Sequence, residues 1–144
     1  MMVMERIGGV IVSHGQLANE LLAAAETVVG DIGHIIAVSI GWHDDVEMAR
    51  DEVERAIRSV SKGTGVIILT DMFGGTPTNI AAMFLSPGDV EIVTGVNLPM
   101  VIKLASNTKD LDLIDLAKEI EDQGKTSIYR TSALLEPQKL KKDA

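Results

Sequence analysis

The sequence predicts a doubly wound α/β fold built on a mostly parallel sheet. Two observations lead there. Apolar, β-branched runs alternate with helical patterns along the chain, the order that builds βαβ units. The run TGVIILTD (64–71) is apolar almost throughout, as in a strand covered by helices on both faces. A length of 144 residues fits one domain with a substantial core.

The elements follow in order. IGGVIVS (7–13) reads as the first strand, and GQLANELLAAAETVVG (15–30) as a helix closing at Gly30. HIIAVSI (34–40) is the second strand, with His34 in a structural place at its start. DDVEMARDEVERAIRSVSKG (44–63) is a helix with its charges on one face, and Asp44 and Glu47 stand at capping-box spacing. After the third strand, TPTNIAAMFL (76–85) forms a short helix with Pro77 in its first turn. SPGD is a turn, VEIVTG (90–95) the fourth strand, and NLPMVIKLAS (97–106) a helix that Asn97 caps or whose neighbouring loop it holds. DLDLIDLAKEIEDQG (110–124) is a further helix. KTSIY (125–129) reads as a short C-terminal edge strand, pairing antiparallel. One domain is expected over 1–144, with its core at about 7–130 and a frayed tail over 131–144, where Lys139, Lys141 and Lys142 are solvated.

Right-handed crossovers select the flavodoxin-like strand order 2-1-3-4. Its switch point lies between strands one and three, and ligands bind beyond the carboxyl ends of those strands.

Composition narrows the function. Aromatic residues make up 3% of the chain, so the core is aliphatic. A formal net charge of -8 argues against nucleic acid and anionic membranes as partners, and permits a basic protein or a small ligand. There is no cysteine for thiolate metal sites or thiol catalysis. No apolar run approaches the roughly 20 residues of a membrane span, and MMVMERIGG lacks a signal-peptide layout, so a cytoplasmic protein is expected.

The chemistry falls at the switch point. Strand one ends at Ser13-His14 and strand three at Thr70-Asp71, so both face one crevice. A carboxylate that accepts one ring N–H fixes the histidine tautomer and leaves the other nitrogen free as a nucleophile. Gly15, Gly74 and Gly75 let backbone amides approach an anion, and Thr76-Pro77 open a helix whose N-terminus favours one. Singly, each has a plainer role: His14 as a polar loop residue, Asp71 as a turn cap, Gly-Gly-Thr-Pro as a helix start. Their conjunction at one crevice points to phosphoryl transfer, in which positioning and charge stabilisation carry most of the catalysis. With no GxxxxGK[ST] loop and no GxGxxG after a strand, a phosphorylated protein is a more natural donor than a nucleotide. No cofactor is implied. His43 with Asp44 and Asp45 resembles a metal cluster only on paper, since helix capping accounts for the acids, and no metal is expected. Trp42 either lines the crevice rim or a partner surface, or simply packs.

VIVSHGQLANELLAAAETVVG, GVIILTDMFGGTPTN and VTGVNLPMVIKLA together resemble the EIIA domain of the mannose-type sugar phosphotransferase system (mannose/fructose/sorbose family) over about residues 7–130. The resemblance implies a cytoplasmic homodimer. It implies that His14 accepts a phosphoryl group from phospho-HPr and passes it to an EIIB protein, with Asp71 as its partner and Gly74, Gly75 and Thr76 at the phosphate; the sequence carries no EIIB motif, so a separate EIIB protein is expected. It also implies that the last strand helps to build the dimer, by exchange between subunits. Thr76 stands where family members often have serine, and GWHDD matches no family motif. The alternatives are a phosphocarrier for a dihydroxyacetone kinase, against which DMFGGTPTN counts, and a phosphorylation-dependent regulatory module without transport. A response-regulator receiver would need acidic residues after strand one for magnesium, where this chain has Ser13-His14.

Overall fold

A computed structural model of the chain describes residues 5–135. Four strands, β1 (Gly8–His14), β2 (Ile35–Ile40), β3 (Val66–Thr70) and β4 (Val90–Thr94), form one sheet in the order β2-β1-β3-β4. All three pairings are parallel, with Val12 opposite both Val38 and Thr70. The expected order is therefore the observed one, and the switch point lies between β1 and β3.

Strand side chains alternate between faces, and helices cover both. Ile11, Ile35, Ile67 and Leu69 pack toward α1 (Leu17–Val29), α4 (Leu98–Ser106) and α5 (Leu113–Thr126). Val10, Val12, Val38 and Ile68 pack toward α2 (Val46–Val60) and α3 (Gly75–Ala82). Ile11, Ile67, Ile68 and Leu69 are wholly buried, each stabilising the fold by about 1.5–3 kcal/mol relative to exposure. This two-sided burial is why the strands read as continuous apolar runs.

The helices follow local chemistry. α2 buries Ala49, Val53, Ala56 and Val60, one stripe at helical spacing. Its cap is Asp45, whose side chain accepts from Glu47 N at 2.9 Å, and not the expected Asp44. Asp44 instead closes the preceding turn, accepting from Gly41 N at 2.6 Å. Asn97 caps α4 by accepting from Met100 N, and its amide also donates to Gly124 O at 3.2 Å, so it ties α4 to α5.

The C-terminal edge strand does not form among the described residues. α5 runs on to Thr126, and Ser127 N still donates to Gln123 O, so its backbone continues the helical pattern. Ile128 and Tyr129 follow without strand pairing, and residues 131–135 are helical where a frayed tail was expected. The tail lysines and the first four residues lie outside the described residues. Among those described, no helix is long and apolar enough to cross a membrane.

His34 precedes β2, and its carbonyl accepts from Gly9 N at 2.9 Å. Its Nδ1 takes the Arg6 guanidinium at 3.2 Å, while Nε2 is buried without a partner. Burial lowers its pKa, and the nearby Arg6 charge adds to this, against opposing pulls from the Leu104 carbonyl and Asp31. The unfolded chain therefore binds this proton first on acidification. The stability from neutral His34 is present above an ordinary histidine pKa of about 6.5 and lost as pH falls through the lower folded value. Denaturant unfolding across this window should show a shallower pH slope for His34→Gln than for wild type; equal slopes would contradict the assignment.

Candidate active site

His14 closes β1 and Asp71 follows β3 directly, so strand pairing alone brings them together. Asp71 Oδ2 accepts from two donors of the same residue: the His14 backbone N–H at 2.9 Å and Nδ1 at 2.8 Å. This double contact fixes the carboxylate against the strand end and the ring against the carboxylate. Burial raises the Asp71 pKa, but the two His14 hydrogen bonds and the His14 charge outweigh it, and the carboxyl lies below its ordinary value. An ionised carboxylate can only accept, so Nδ1 carries a proton, and in the neutral ring the lone pair then sits on Nε2.

Nε2 faces the start of α3. A Cβ placed on Gly75 would lie 3.1 Å from it and 3.0 Å from Cε1, and Gly75 has φ +85°. Both facts call for glycine there: a side chain would crowd Nε2 and strain the backbone. Gly74, with φ +89°, is the N-cap residue of α3 and has no side chain to occupy the helix end. Gly75 and Thr76 are the first helical residues, so their amides have no intrahelical acceptors and point their dipoles at this crevice. His14, Gly15, Gly75 and Thr76 line an open crevice of roughly 490 Å³ together with Trp42 and Val46. Gly15 differs from expectation in one respect. Its N–H donates to Ile40 O at 2.8 Å, so it shapes the turn after β1 and does not present a free amide.

Two supports were not apparent from the sequence. Ser13 is fully buried; its hydroxyl accepts from Ala18 N at 2.7 Å and donates to the His14 carbonyl at 3.2 Å. It thus anchors the start of α1, whose N-cap Gln16 makes no side-chain cap, and steadies the turn that holds His14. On the other side, the buried hydroxyls of Thr70 and Thr78 bond to each other at 2.9 Å, and Thr78 donates to the Met72 carbonyl. That chain clamps the loop after Asp71 to β3 and α3. A serine four residues before a helical pattern was the one available signal for the first, and nothing local signalled the second.

Of the remaining sequence candidates, Asp44 reaches the crevice wall beside Trp42, whereas His43 and Asp45 do not line it. Asp44 and Asp45 are engaged as turn and helix caps, which separates their roles from His43. Asp71 is held by His14, unlike a receiver aspartate free to be phosphorylated.

A family model described as "PTS system fructose IIA component" matches residues 8–121. The chain belongs to this family. It is thus a mannose-type EIIA component of the sugar phosphotransferase system, a family of phosphotransferase proteins. The fructose-specific EIIA component of Bacillus subtilis is 28% identical over 131 residues, which cover 90% of each chain. The mannose-specific EIIAB component of Escherichia coli is 31% identical over 125 residues, 80% of this chain but 37% of that protein. Among solved structures, the IIA protein associated with the fucose utilization operon of Streptococcus pneumoniae superposes with a TM-score of 0.80 at 26% identity, covering 93% of this chain and 99% of that one. The resemblance read from the SHG, DMFGGTPTN and GVNLPM segments is therefore the right family.

Proposed function

We propose that this EIIA component is a phosphocarrier that takes a phosphoryl group from phospho-HPr onto His14 and passes it to an EIIB protein. The observation that carries this reading is the His14 geometry: Nδ1 on Asp71 at 2.8 Å and Nε2 against the N-terminus of α3. In the uptake step the Nε2 lone pair attacks phosphorus, and the phosphorus–nitrogen bond of the donor phosphohistidine breaks. The donor imidazole leaves with that electron pair. The ring of His14 gains positive charge as the new bond forms, and the Asp71 carboxylate stabilises it through Nδ1–H. The phosphoryl oxygens meet the amides of Gly75 and Thr76, held in place by the start of α3, and the Thr76 hydroxyl. Transfer onward reverses the same step toward EIIB.

Incubation with phospho-HPr, then mass-spectrometric mapping of the adduct, tests this reading. Phosphate should sit on His14 in a linkage labile in acid and comparatively stable in base. A hydroxylamine-sensitive linkage on Asp71 would overturn it. The cytoplasm, where HPr would meet the protein, is part of the same proposal.

A homodimer is the proposed assembly. Exposed apolar side chains at Ile128, Tyr129, Leu134 and Leu135 support it, as does β4, an edge strand beside a groove of roughly 460 Å³ lined by Phe73, Ile92, Ile114 and Lys118. An unpaired edge next to unburied apolar residues favours addition of another chain. Truncation after Ser127, which spares all of α5, should yield a monomer or an insoluble protein. Sedimentation of the full chain as a stable monomer would refute the assembly.

A further inference from the structure

Trp42 is the only tryptophan of the chain and has no task in the chemistry above. It is 94% exposed. A single exposed apolar residue needs no explanation, but Trp42 is not single. It lines the crevice that holds His14, beside half-exposed Val46, while Phe73 and Met72 stand exposed on the loop that follows Asp71. Nor is it on a slack loop. Gly41 N donates to Asp44 Oδ2, Asp44 N donates back to Gly41 O at 3.2 Å, and Asp45 caps α2. The turn is closed beneath the indole and holds it outward.

The charges around it have one sign. No lysine or arginine occurs between residues 7 and 49 or between 63 and 102, the stretches that supply all four loops at the carboxyl ends of the strands. Asp44, Asp45 and Glu47 lie next to Trp42, and Asp44 lines the crevice. Arg50 follows one turn into α2 and Lys103 lies within α4, neither lining the crevice, while Lys125 of α5 reaches the far end of the sheet beside Thr94 and Phe73, where Glu121 pairs with it at 2.7 Å. An exposed indole face within an acidic rim favours a cation, by attraction to the ring quadrupole and to the carboxylates.

We propose that Trp42 and the acidic turn around it dock the phosphoryl-donor protein, by receiving an arginine- or lysine-bearing segment over the indole face while His14 takes the phosphoryl group. This rests on the phosphocarrier reading. It adds the surface and the chemistry by which the donor is recognised. A tryptophan at the centre of a contact, ringed by acids, suits both anchoring and steering.

The sole tryptophan makes the test direct. Full-length protein is titrated with unphosphorylated, tryptophan-free HPr while Trp42 emission and acrylamide quenching are followed. Emission should shift to the blue and quenching should fall, saturably, and both effects should weaken as salt is raised. In phosphoryl transfer from phospho-HPr, Trp42→Leu should raise KM about ten-fold with a much smaller change in kcat, and Trp42→Phe should recover most of the loss. The leucine keeps apolar area and loses the π face, so this contrast separates cation binding from simple burial. Wild-type transfer with unchanged Trp42 emission overturns the proposal. So does protection that depends only on the protein's own concentration, which would assign the face to a second copy, or protection by EIIB alone. If wild type accepts no phosphate at all, the phosphocarrier reading fails instead, and the fluorescence titration still reports docking independently.

Discussion

His14→Gln should take up no phosphoryl group from phospho-HPr, a loss of at least about 10⁴-fold, the scale on which removing a covalent nucleophile acts. The substitution keeps a polar side chain of similar reach and removes the lone pair that would form the bond in the proposed transfer. The fold should survive, because the His14 side chain is half exposed and its backbone N–H still reaches Asp71 Oδ2. Circular dichroism and unfolding midpoints close to wild type would show that the loss is chemical. Phosphate retained by the variant would move the acceptor elsewhere, and mapping would find it.

The sheet was legible because its strands are buried on both faces, and Val66 to Leu69 shows this as an unbroken apolar run. His14 and Asp71 were legible for a related reason: they close strands that are neighbours only in the 2-1-3-4 order. The C-terminus misled because Gly124 reads as a helix stop. In the structure it lies inside α5, where any side chain would strike Met100, so packing and not termination selects the glycine. The Glu121–Lys125 pair at 2.7 Å carries the helix past it. Capping at Asp45 and not Asp44 is a one-residue choice that spacing alone does not make, since both carboxylates find amides. The hydroxyl chain from Thr70 through Thr78 to Met72 links residues without any periodic relation, and only the folded backbone brings them together.

Asp71→Ala should slow phosphoryl uptake by about 10-fold to 10³-fold while the protein stays folded. The alanine removes three things at once: the acceptor that fixes the His14 tautomer, the contact that orients the ring, and the charge that would stabilise the ring in the proposed phosphorylated form. Asp71→Asn separates them. In wild type the His14 backbone N–H and Nδ1 converge on the same oxygen, 2.9 and 2.8 Å away. The backbone N–H can only donate, so the asparagine must turn its carbonyl oxygen to that place. The ring then still meets an acceptor, Nδ1 keeps its proton, and Nε2 stays nucleophilic. Only the charge is lost, so the asparagine variant should retain more activity than the alanine variant, with the deficit in kcat and not in KM for phospho-HPr. The two variants should also differ from wild type in acid. Burial pushes the Asp71 carboxyl up, but the His14 hydrogen bonds and charge pull it further down, so its net pKa is lowered. Its contribution to stability is therefore full above the unfolded carboxylate value of about 3.9 and lost as pH falls through the lower folded one. Acid unfolding followed from pH 6 downward, a range chosen to bracket roughly that window, should lose this component in both variants. Equal transfer rates for wild type and a folded Asp71→Ala would remove the carboxylate from the mechanism.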